Sequence, residues 1–429
     1  MKQLLASKHS YDKQMLLEMD INQITELEIK TMFSEYVKSY TGCFQNASQQ
    51  RYFETFETGL LSDLDRKSIE PIALTYMNEK DVRGFQHFFS RAALPDDEIL
   101  RRYQELLADS ISMPGGFLSV DGSDFVKKGN QSVGVARQHC GRIGKTENCQ
   151  AGVFLSYASE KGYGLIDRKL YLPKSWFTPE YTARSKKCGI PDEAKFYTKN
   201  QMALDMIQEI HAKDLFDIEW VGCDGAFGND HNFLRSLPKG IKYFAGTHRD
   251  ELIFLERPEM NIPISGKTGR PYKHPRPSFP PIKVESVAAD DSIPWERRAL
   301  AEGVRGTIYG DIKCIRCVSC ESTTEYGNYM APGSDIWLFI RRYENGDIKY
   351  YTSNAPIGTP QETLDRLSTM RWSIEQCFQE CKSYLGMSHY ETRTYTAWHR
   401  HMLLVMIAHL FTLHLRQAYK KTLYHHAYG

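Results

Sequence analysis

The 429-residue sequence lacks a long apolar run, a signal-peptide pattern and a strong net charge. Its longest apolar run, residues 402–408, is far shorter than the roughly 20 residues of a transmembrane helix. Its first residues show no long apolar stretch of the kind that signal peptides contain. Its 54 Lys and Arg residues balance 53 Asp and Glu residues, which leaves a net charge of +1. We therefore expect a soluble, cytoplasmic protein in which any binding of nucleic acid depends on local basic patches.

The ten cysteines do not form the dense pattern of a disulfide-stabilised domain. Cys314, Cys317 and Cys320 form the tightest group, at Cys-x2-Cys-x2-Cys spacing. A structural zinc ion usually takes four ligands, and no further Cys or His lies close by in the sequence. We therefore favour reduced thiols in a β-region over a zinc site.

Hydrophobic periodicity divides the chain into four segments. Residues 1–112 are predicted to form a helical N-terminal domain. Residues 113–255 alternate strands with helices, residues 256–358 are rich in strands, and residues 359–429 return to helix. The pattern predicts an α/β protein with a β-rich insertion before its C-terminal helices.

Two apolar strands in the second segment are each predicted to end on an aspartate. Residues 117–120 precede Asp121, and residues 218–223 precede Asp224. A carboxylate at the carboxyl end of a core strand lies where α/β sheets place their active sites. Each aspartate taken alone also fits a helix N-cap or a turn.

Residues 371–382 are predicted to form a helix that carries a third carboxylate. At 3.6 residues per turn, Arg371, Glu375 and Lys382 lie on one face. A carboxylate between two cations suits a metal-binding acid whose neighbours hold phosphate oxygens. The same spacing also fits a surface helix with ordinary ion pairs.

Two further groups of polar residues have both a functional and a structural interpretation. Lys127, Lys128 and Arg137 lie in a glycine-rich segment that either follows a phosphate backbone or forms a solvated hairpin edge. Three histidines at positions 399, 401 and 409 lie in a long apolar helix predicted for residues 398–419. We interpret them as surface or core histidines, because no acidic partner accompanies them in the pattern.

Asp121, Asp224 and Glu375 form an ordered Asp-Asp-Glu set. Three converging carboxylates repel one another unless cations neutralise them. Two Mg²⁺ ions, for which Mn²⁺ can substitute, bind such oxygen ligands and hold the attacking and leaving oxygens of a phosphodiester. We therefore predict a catalytic, metal-binding trio, with Arg371 and Lys382 clamping the phosphate.

The glutamate helix resembles that of DDE transposases of insertion-sequence family 701. In the larger group that contains this family, the helix carries Tyr-x2-Arg-x3-Glu-x6-Lys. Arg371, Glu375 and Lys382 match that spacing, whereas Ser368 stands where the group has Tyr.

The resemblance extends from about residue 113 to 415. The family often has a second Asp where Gly122 stands, so Asp121 carries the role of the first acid. Other matching motifs are Val-Asp-Gly-Ser at 120–123, Lys-Lys-Gly at 127–129, Ser-Val-Gly-Val-Ala-Arg-Gln at 132–138, Asn-Cys-Gln at 148–150, Leu-Tyr-Leu-Pro at 170–173, Asp-Gly-Ala-Phe-Gly at 224–228, Tyr-Glu-Thr-Arg at 390–393 and Trp-His-Arg-His at 398–401.

The resemblance implies an RNase H-like core, a mixed sheet flanked by helices, with the β-rich insertion before the glutamate helix. It also implies metal-dependent cleavage at transposon ends and strand transfer by 3′-hydroxyl attack on target DNA. The implied partners are the terminal inverted repeats, the target DNA and a second subunit in a homodimeric synaptic complex. The implied location is the prokaryotic cytoplasm, at the nucleoid when DNA is bound, and the N-terminal helices would bind the transposon ends.

Two alternatives stay open at this point. A transposase-derived DNA-binding or regulatory protein would explain the absence of the motif Tyr at Ser368. A metal-dependent DNA nuclease without strand transfer would use the same trio of acids.

Overall fold

The computed structural model describes residues 26–263, 274–303, 306–323 and 329–427. Their contacts divide the chain into two compact units. Unit 1 holds the described residues up to Asp217 and those from Trp372 onward. Unit 2 holds those from Ile218 to Glu302 and from Gly306 to Arg371.

Unit 1 begins with helices, as the sequence predicts for its N-terminal segment. Residues 1–25 of that segment lie outside the described residues. The α-helices before the first strand are α1 (Glu26–Lys38), α2 (Ala47–Leu61), α3 (Ile69–Tyr76), α4 (Asp81–Ser90) and α5 (Asp96–Ile111). Each of these helices buries apolar side chains and so forms part of the core of unit 1, as Tyr36, Phe56, Ile72, Phe85 and Leu107 show.

The long C-terminal helix α13 (Tyr395–Ala427) anchors these N-terminal helices. The Arg400 guanidinium is buried and donates to the carbonyl oxygens of Phe88 and Ala92, at 2.7 and 2.8 Å. It also forms a two-pronged ion pair with the carboxylate of Asp96, at 2.7 and 2.8 Å. Both ends of the α4–α5 connection are therefore tied to α13.

The strands of unit 1 form an antiparallel set around a long central strand. They are β1 (Gly116–Val126), β2 (Ala136–Cys140), β3 (Lys145–Ser159) and β4 (Gly162–Tyr171). β1 runs along one edge of β3, and β2 and β4 pair with the other edge. The unit is completed by α6 (Thr182–Lys187), α7 (Lys199–Lys213) and α12 (Ser373–Tyr384), together with α13.

Two predicted strand boundaries in unit 1 are wrong. β1 does not end at Asp121, because its pairing with β3 continues to Val126 opposite Cys149. The pattern of residues 132–137 predicts a strand, but β2 begins at Ala136, since Gly134 has φ of 69°, a left-handed conformation that interrupts an extended strand.

Unit 2 is built on a mixed sheet. Its main strands are β5 (Ile218–Cys223), β6 (Lys242–Thr247), β7 (Leu252–Phe254), β10 (Ile282–Lys283), β12 (Gly306–Thr323), β13 (Tyr329–Arg342) and β14 (Ile348–Ser353). β5 and β6 are parallel. The remaining neighbours are antiparallel, and their order across the sheet is β6, β14, β13, β12, β7 and β10. The shorter strands are β8 (Met260–Asn261), β9 (Arg276–Pro277) and β11 (Glu296–Gly303).

The helices of unit 2 are α8 (Gly225–Gly228), α9 (His231–Arg235), α10 (Val284–Ala289) and α11 (Gln361–Met370). Val284 and Val287 of α10 pack with Ile253, Leu338 and Ile340 in an apolar cluster. The dipeptide Asn345-Gly346 is typical of a hairpin turn, and the φ of 87° at Gly346 agrees with such a turn.

Strands and helices occur together in the arrangement that the sequence predicts, so the α/β class is confirmed. The mixed sheet with flanking helices agrees with an RNase H-like fold. Of the predicted Pro- and Gly-rich loop, residues 264–273 lie outside the described residues. No helix in the described ranges is both long and apolar enough to cross a membrane.

Candidate active site

Asp121 lies on the face of the β1–β3 pair that α12 covers. It is directly opposite Phe154, and opposite residues of paired strands share a face. The Phe154 ring meets the Phe378 ring of α12 edge to face, with centroids 5.3 Å apart. The Asp121 carboxylate is half-buried and accepts the Gly122 N–H at 2.6 Å.

Glu375 lies in the first turn of α12 and is half-buried. It precedes Phe378 by three residues, which is about one helical turn. Asp121 and Glu375 therefore flank the same Phe154–Phe378 contact. Within unit 1, the structure brings these two predicted acids to one side of the sheet.

Lys382 lies about two turns after Glu375 on the same helix. Its ammonium is 5.4 Å from the centre of the Phe125 ring and 5.6 Å from that of the Phe378 ring. Because Phe125 and Asp121 are four residues apart in β1, they share a face. The Lys382 ammonium therefore lies on the face that carries Asp121.

The helix predicted for residues 371–382 begins two residues later than predicted, at Ser373. α11 ends at Met370 and α12 begins at Ser373, although Arg371 and Trp372 keep right-handed helical backbone angles. The regular helical hydrogen-bond pattern is interrupted at Arg371 and Trp372. Arg371 belongs to unit 2, where it interacts with Tyr351. Burial raises the pKa of Tyr351 to about 12, and the positive charge of Arg371 opposes that shift.

Asp224 follows β5 and caps α8. Its Oδ1 accepts the N–H groups of Ala226 and Phe227, at 3.0 and 3.4 Å. Its Oδ2 accepts no hydrogen bond from any residue that the structure describes, so one oxygen orients the side chain and the other is available to a cation. Gly228 is required here, since a Cβ at that position would lie 2.0 Å from the carbonyl oxygen of Gly246.

The three acids are hard oxygen donors, which suit Mg²⁺. Within the described ranges, no cluster of three or more His, Cys, Asp or Glu side chains is arranged to hold a metal ion. Asp121 and Glu375 belong to unit 1 and Asp224 to unit 2. The convergence of all three therefore stays a prediction.

The predicted basic residues have different environments. Lys127 Nζ donates to the carbonyl oxygen of Tyr390 at 3.2 Å and lies 3.5 Å from the centre of its ring. Burial lowers the pKa of Lys127 to about 8, and the nearby Glu391 carboxylate opposes this shift. Lys128 and Arg137 are exposed. Their phosphate-binding role stays a prediction.

The cysteine group lies along β12 in unit 2, with free thiols. Burial raises the pKa of Cys314 and Cys317 to about 12 and that of Cys320 to about 11. Cys314 and Cys317 are three residues apart in a strand, so their side chains point to opposite faces.

Of the three histidines singled out in the sequence, His401 and His409 are buried and His399 is half-buried. Burial lowers the pKa of both His399 and His401 to about 3. His409 has an acidic partner that the sequence did not reveal, because its Nε2 lies 2.7 Å from Glu380 Oε2.

Sequence reasoning missed a cavity at the end of β1. It is lined by Lys127 and Lys128 together with Arg66, His389 and Arg393, which lie far away in the sequence. The Tyr-Glu-Thr-Arg motif at 390–393 was the one available signal.

The chain belongs to the DDE superfamily endonuclease family, because that family's model matches residues 39–307, more than half of the chain. The matched range contains Asp121 and Asp224 and ends before Glu375.

A probable transposase for insertion sequence element IS701 from Microchaete diplosiphon is 27% identical to this chain over 114 residues. That match covers 27% of this chain and 30% of the relative, so it spans less than a third of the relative's length. Among solved structures, the NurA nuclease from Sulfolobus solfataricus is similar over 74% of this chain and 92% of that chain. Its identity is 10% and its TM-score 0.28, which is too low to support an inference about function.

Proposed function

We propose that this protein is a DNA transposase that cleaves DNA at the ends of a mobile element and transfers the 3′-hydroxyl ends to target DNA. Membership of an endonuclease family and the similarity to a transposase support this proposal. The observation that carries it is the placement of Asp121, Glu375 and Lys382 on one side of the sheet in unit 1.

In this proposal, Asp121, Asp224 and Glu375 hold two Mg²⁺ ions, for which Mn²⁺ can substitute. When bound, the ions would supply activation of the attacking oxygen and stabilisation of the leaving oxygen. Lys382 and Arg371 hold phosphate oxygens of the substrate. The cap that Asp224 forms on α8 keeps its carboxylate oriented before metal binds.

The proposed partners are the terminal inverted repeats, the target DNA and a second copy of the chain in a homodimeric complex. The proposed setting is the prokaryotic cytoplasm, with the protein at the nucleoid when it holds DNA. The N-terminal helices are the proposed contact with the transposon ends, and the domain boundaries predicted from the sequence belong to the same proposal.

A regulatory protein derived from a transposase is the second candidate, and one observation favours it. Ser368, which replaces the motif Tyr, is buried, and its hydroxyl donates to the carbonyl oxygen of Asp365 at 2.7 Å. Ser368 therefore supplies no phosphate contact of the kind that a Tyr would make.

The test is nicking of DNA that carries the element's ends, with Mg²⁺ present. We expect wild type to nick this DNA and Glu375→Gln to lose at least about 100-fold in rate, because a metal-holding carboxylate is gone. Glu362→Gln, an exposed glutamate in the first turn of α11, is the matched control and should nick like wild type. Equal nicking by Glu375→Gln and wild type would reject the proposal.

Analysis of the products separates strand transfer from simple cleavage. Joined products between element ends and target DNA are expected. Nicked or linear DNA alone would favour a nuclease without strand transfer.

A further inference from the structure

The cavity at the end of β1 has a volume of about 650 Å³. A second cavity of about 570 Å³ shares Tyr390, Glu391 and Arg393 with it and adds Arg91. The two cavities thus form a groove on both sides of the segment 390–393, which we call the cationic groove.

The floor of the cationic groove is held by specific contacts. Besides the contact of Lys127 with Tyr390, the Val133 N–H donates to the carbonyl oxygen of Arg393 at 3.0 Å. The Tyr390 hydroxyl donates to Gln150 Oε1 at 2.8 Å, and both groups are buried. Segment 390–393 is therefore fastened to the chain around β1 and β3, and its side chains are presented from a defined backbone.

The groove presents cations that no acid neutralises. Lys128 and Arg393 are exposed, and their side chains form no hydrogen bond or ion pair with the residues that the structure describes. Arg66 is paired with Glu391, a carboxylate that lines both cavities. Two further exposed carboxylates line the groove, Asp65 in the first cavity and Glu70 in the second.

His389 adds a neutral donor to the groove. Its Nδ1 accepts the Lys67 N–H at 3.1 Å, so the proton of the neutral ring is on Nε2. Burial, assisted by the charges of Lys67 and Arg66, lowers the pKa of His389 and keeps the ring in this form.

The groove also lies near the face that carries Asp121. The Phe125 ring lies 5.6 Å from the Tyr390 ring on one side and 5.4 Å from the Lys382 ammonium on the other. The Phe125 ring therefore lies between the Tyr390 ring of the groove and the Lys382 ammonium.

We infer that the cationic groove binds the DNA backbone, with Lys128 and Arg393 contacting successive phosphates and His389 donating a hydrogen bond. A chain of phosphates fits better than a single small anion, because the cations are distributed over two neighbouring cavities. The inference rests on the proposed function for the identity of its ligand. Phosphate contacts of this kind position DNA without reading its sequence.

The test uses full-length protein and a short DNA duplex of arbitrary sequence, with EDTA present so that no cleavage occurs. Binding is measured by fluorescence anisotropy over a series of salt concentrations. Each lost phosphate contact reduces the slope of log K against log salt by about 1, so Lys128→Gln/Arg393→Gln should reduce it by about 2. The matched control, Lys186→Gln/Lys187→Gln, removes two exposed cations of α6 and should keep the wild-type slope.

A wild-type slope in the groove variant, or an equal reduction in both variants, would overturn the inference. If the double variant does not fold, Lys128→Gln and Arg393→Gln are tested singly, each with an expected loss of about 1 in slope. Nicking by wild type is measured separately. If wild type does not nick and the groove variant shows the expected reduced slope, only the transposase proposal is rejected. If wild type nicks and the groove variant keeps the wild-type slope, only the inference about the groove is rejected.

Discussion

At the scale of single residues, Glu57 of α2 is the least favourably placed charge-bearing group that we find. It is fully buried, and neither carboxylate oxygen accepts a hydrogen bond from the described residues. Burial raises the pKa of Glu57 well above its usual value. Glu57 therefore stays protonated in the native state at pH values where the unfolded chain has already lost this proton.

Replacing Glu57 should stabilise the protein. We expect Glu57→Met to increase the free energy of unfolding at pH 7 by about 1–3 kcal/mol, because an unpaired buried polar group is removed. The gain should grow between about pH 4 and pH 7, since only the unfolded wild type loses its proton in that range. Urea unfolding at several pH values measures this gain.

Glu57→Gln provides the control, because it keeps a buried polar group that does not titrate. The difference between Glu57→Met and Glu57→Gln should be independent of pH. A gain for Glu57→Met over wild type that is constant from acid to neutral pH would contradict the assignment.

At the scale of elements, α12 carries two glutamates with different environments. Glu380 is buried, and it accepts from the Tyr163 hydroxyl at 2.8 Å and from Gln376 Nε2 at 3.1 Å. It also lies 2.7 Å from His409 and 3.1 Å from Arg416. Burial alone would raise the pKa of Glu380, but Arg416 and His409 outweigh it and hold the pKa well below its usual range.

The two glutamates should therefore respond differently to the same substitution. Glu380→Gln should reduce the free energy of unfolding by about 3 kcal/mol, because Arg416 loses its buried counter-charge. Glu375→Gln should cost less than about 1 kcal/mol, as its carboxylate is only half-buried. Chemical unfolding of both variants measures these losses. A larger loss for Glu375→Gln than for Glu380→Gln would contradict the conclusion that Glu380 is the glutamate that stabilises the fold.

The local sequence pattern predicted which helices and strands form more accurately than it predicted the residues at which they begin and end. The spacing placed Arg371, Glu375 and Lys382 on one helical face. Glu375 and Lys382 belong to α12, whereas Arg371 lies outside it. The break before Ser373 and the extension of β1 to Val126 depend on hydrogen bonds within and between elements. Such bonds have no signature in hydrophobic periodicity.

Contacts between distant parts of the chain were beyond prediction from the sequence. The partner of His409 is 29 residues away, and Arg66 and Glu391 are separated by 325 residues. Tertiary packing alone brings these groups together. The cationic groove could therefore not be predicted as a site, although Lys127 and Lys128 were identified in it.

At the scale of the whole molecule, a net charge of +1 gives no general attraction to DNA. In our proposal, DNA binding therefore depends on local features such as Lys382 and the cationic groove. The trio of acids draws on both compact units, because Asp224 lies in unit 2 and the other two acids in unit 1. The central claim is that these three carboxylates share divalent cations.

Binding of Mn²⁺, followed by electron paramagnetic resonance with end DNA present, tests that claim most directly. Wild type should bind about two Mn²⁺ ions per chain, and Asp121→Asn, Asp224→Asn and Glu375→Gln should each weaken this binding. Asp224→Asn is a clean variant, because Asn also caps helices. Glu362→Gln should bind like wild type. Unchanged Mn²⁺ binding in all three carboxylate variants would contradict the account.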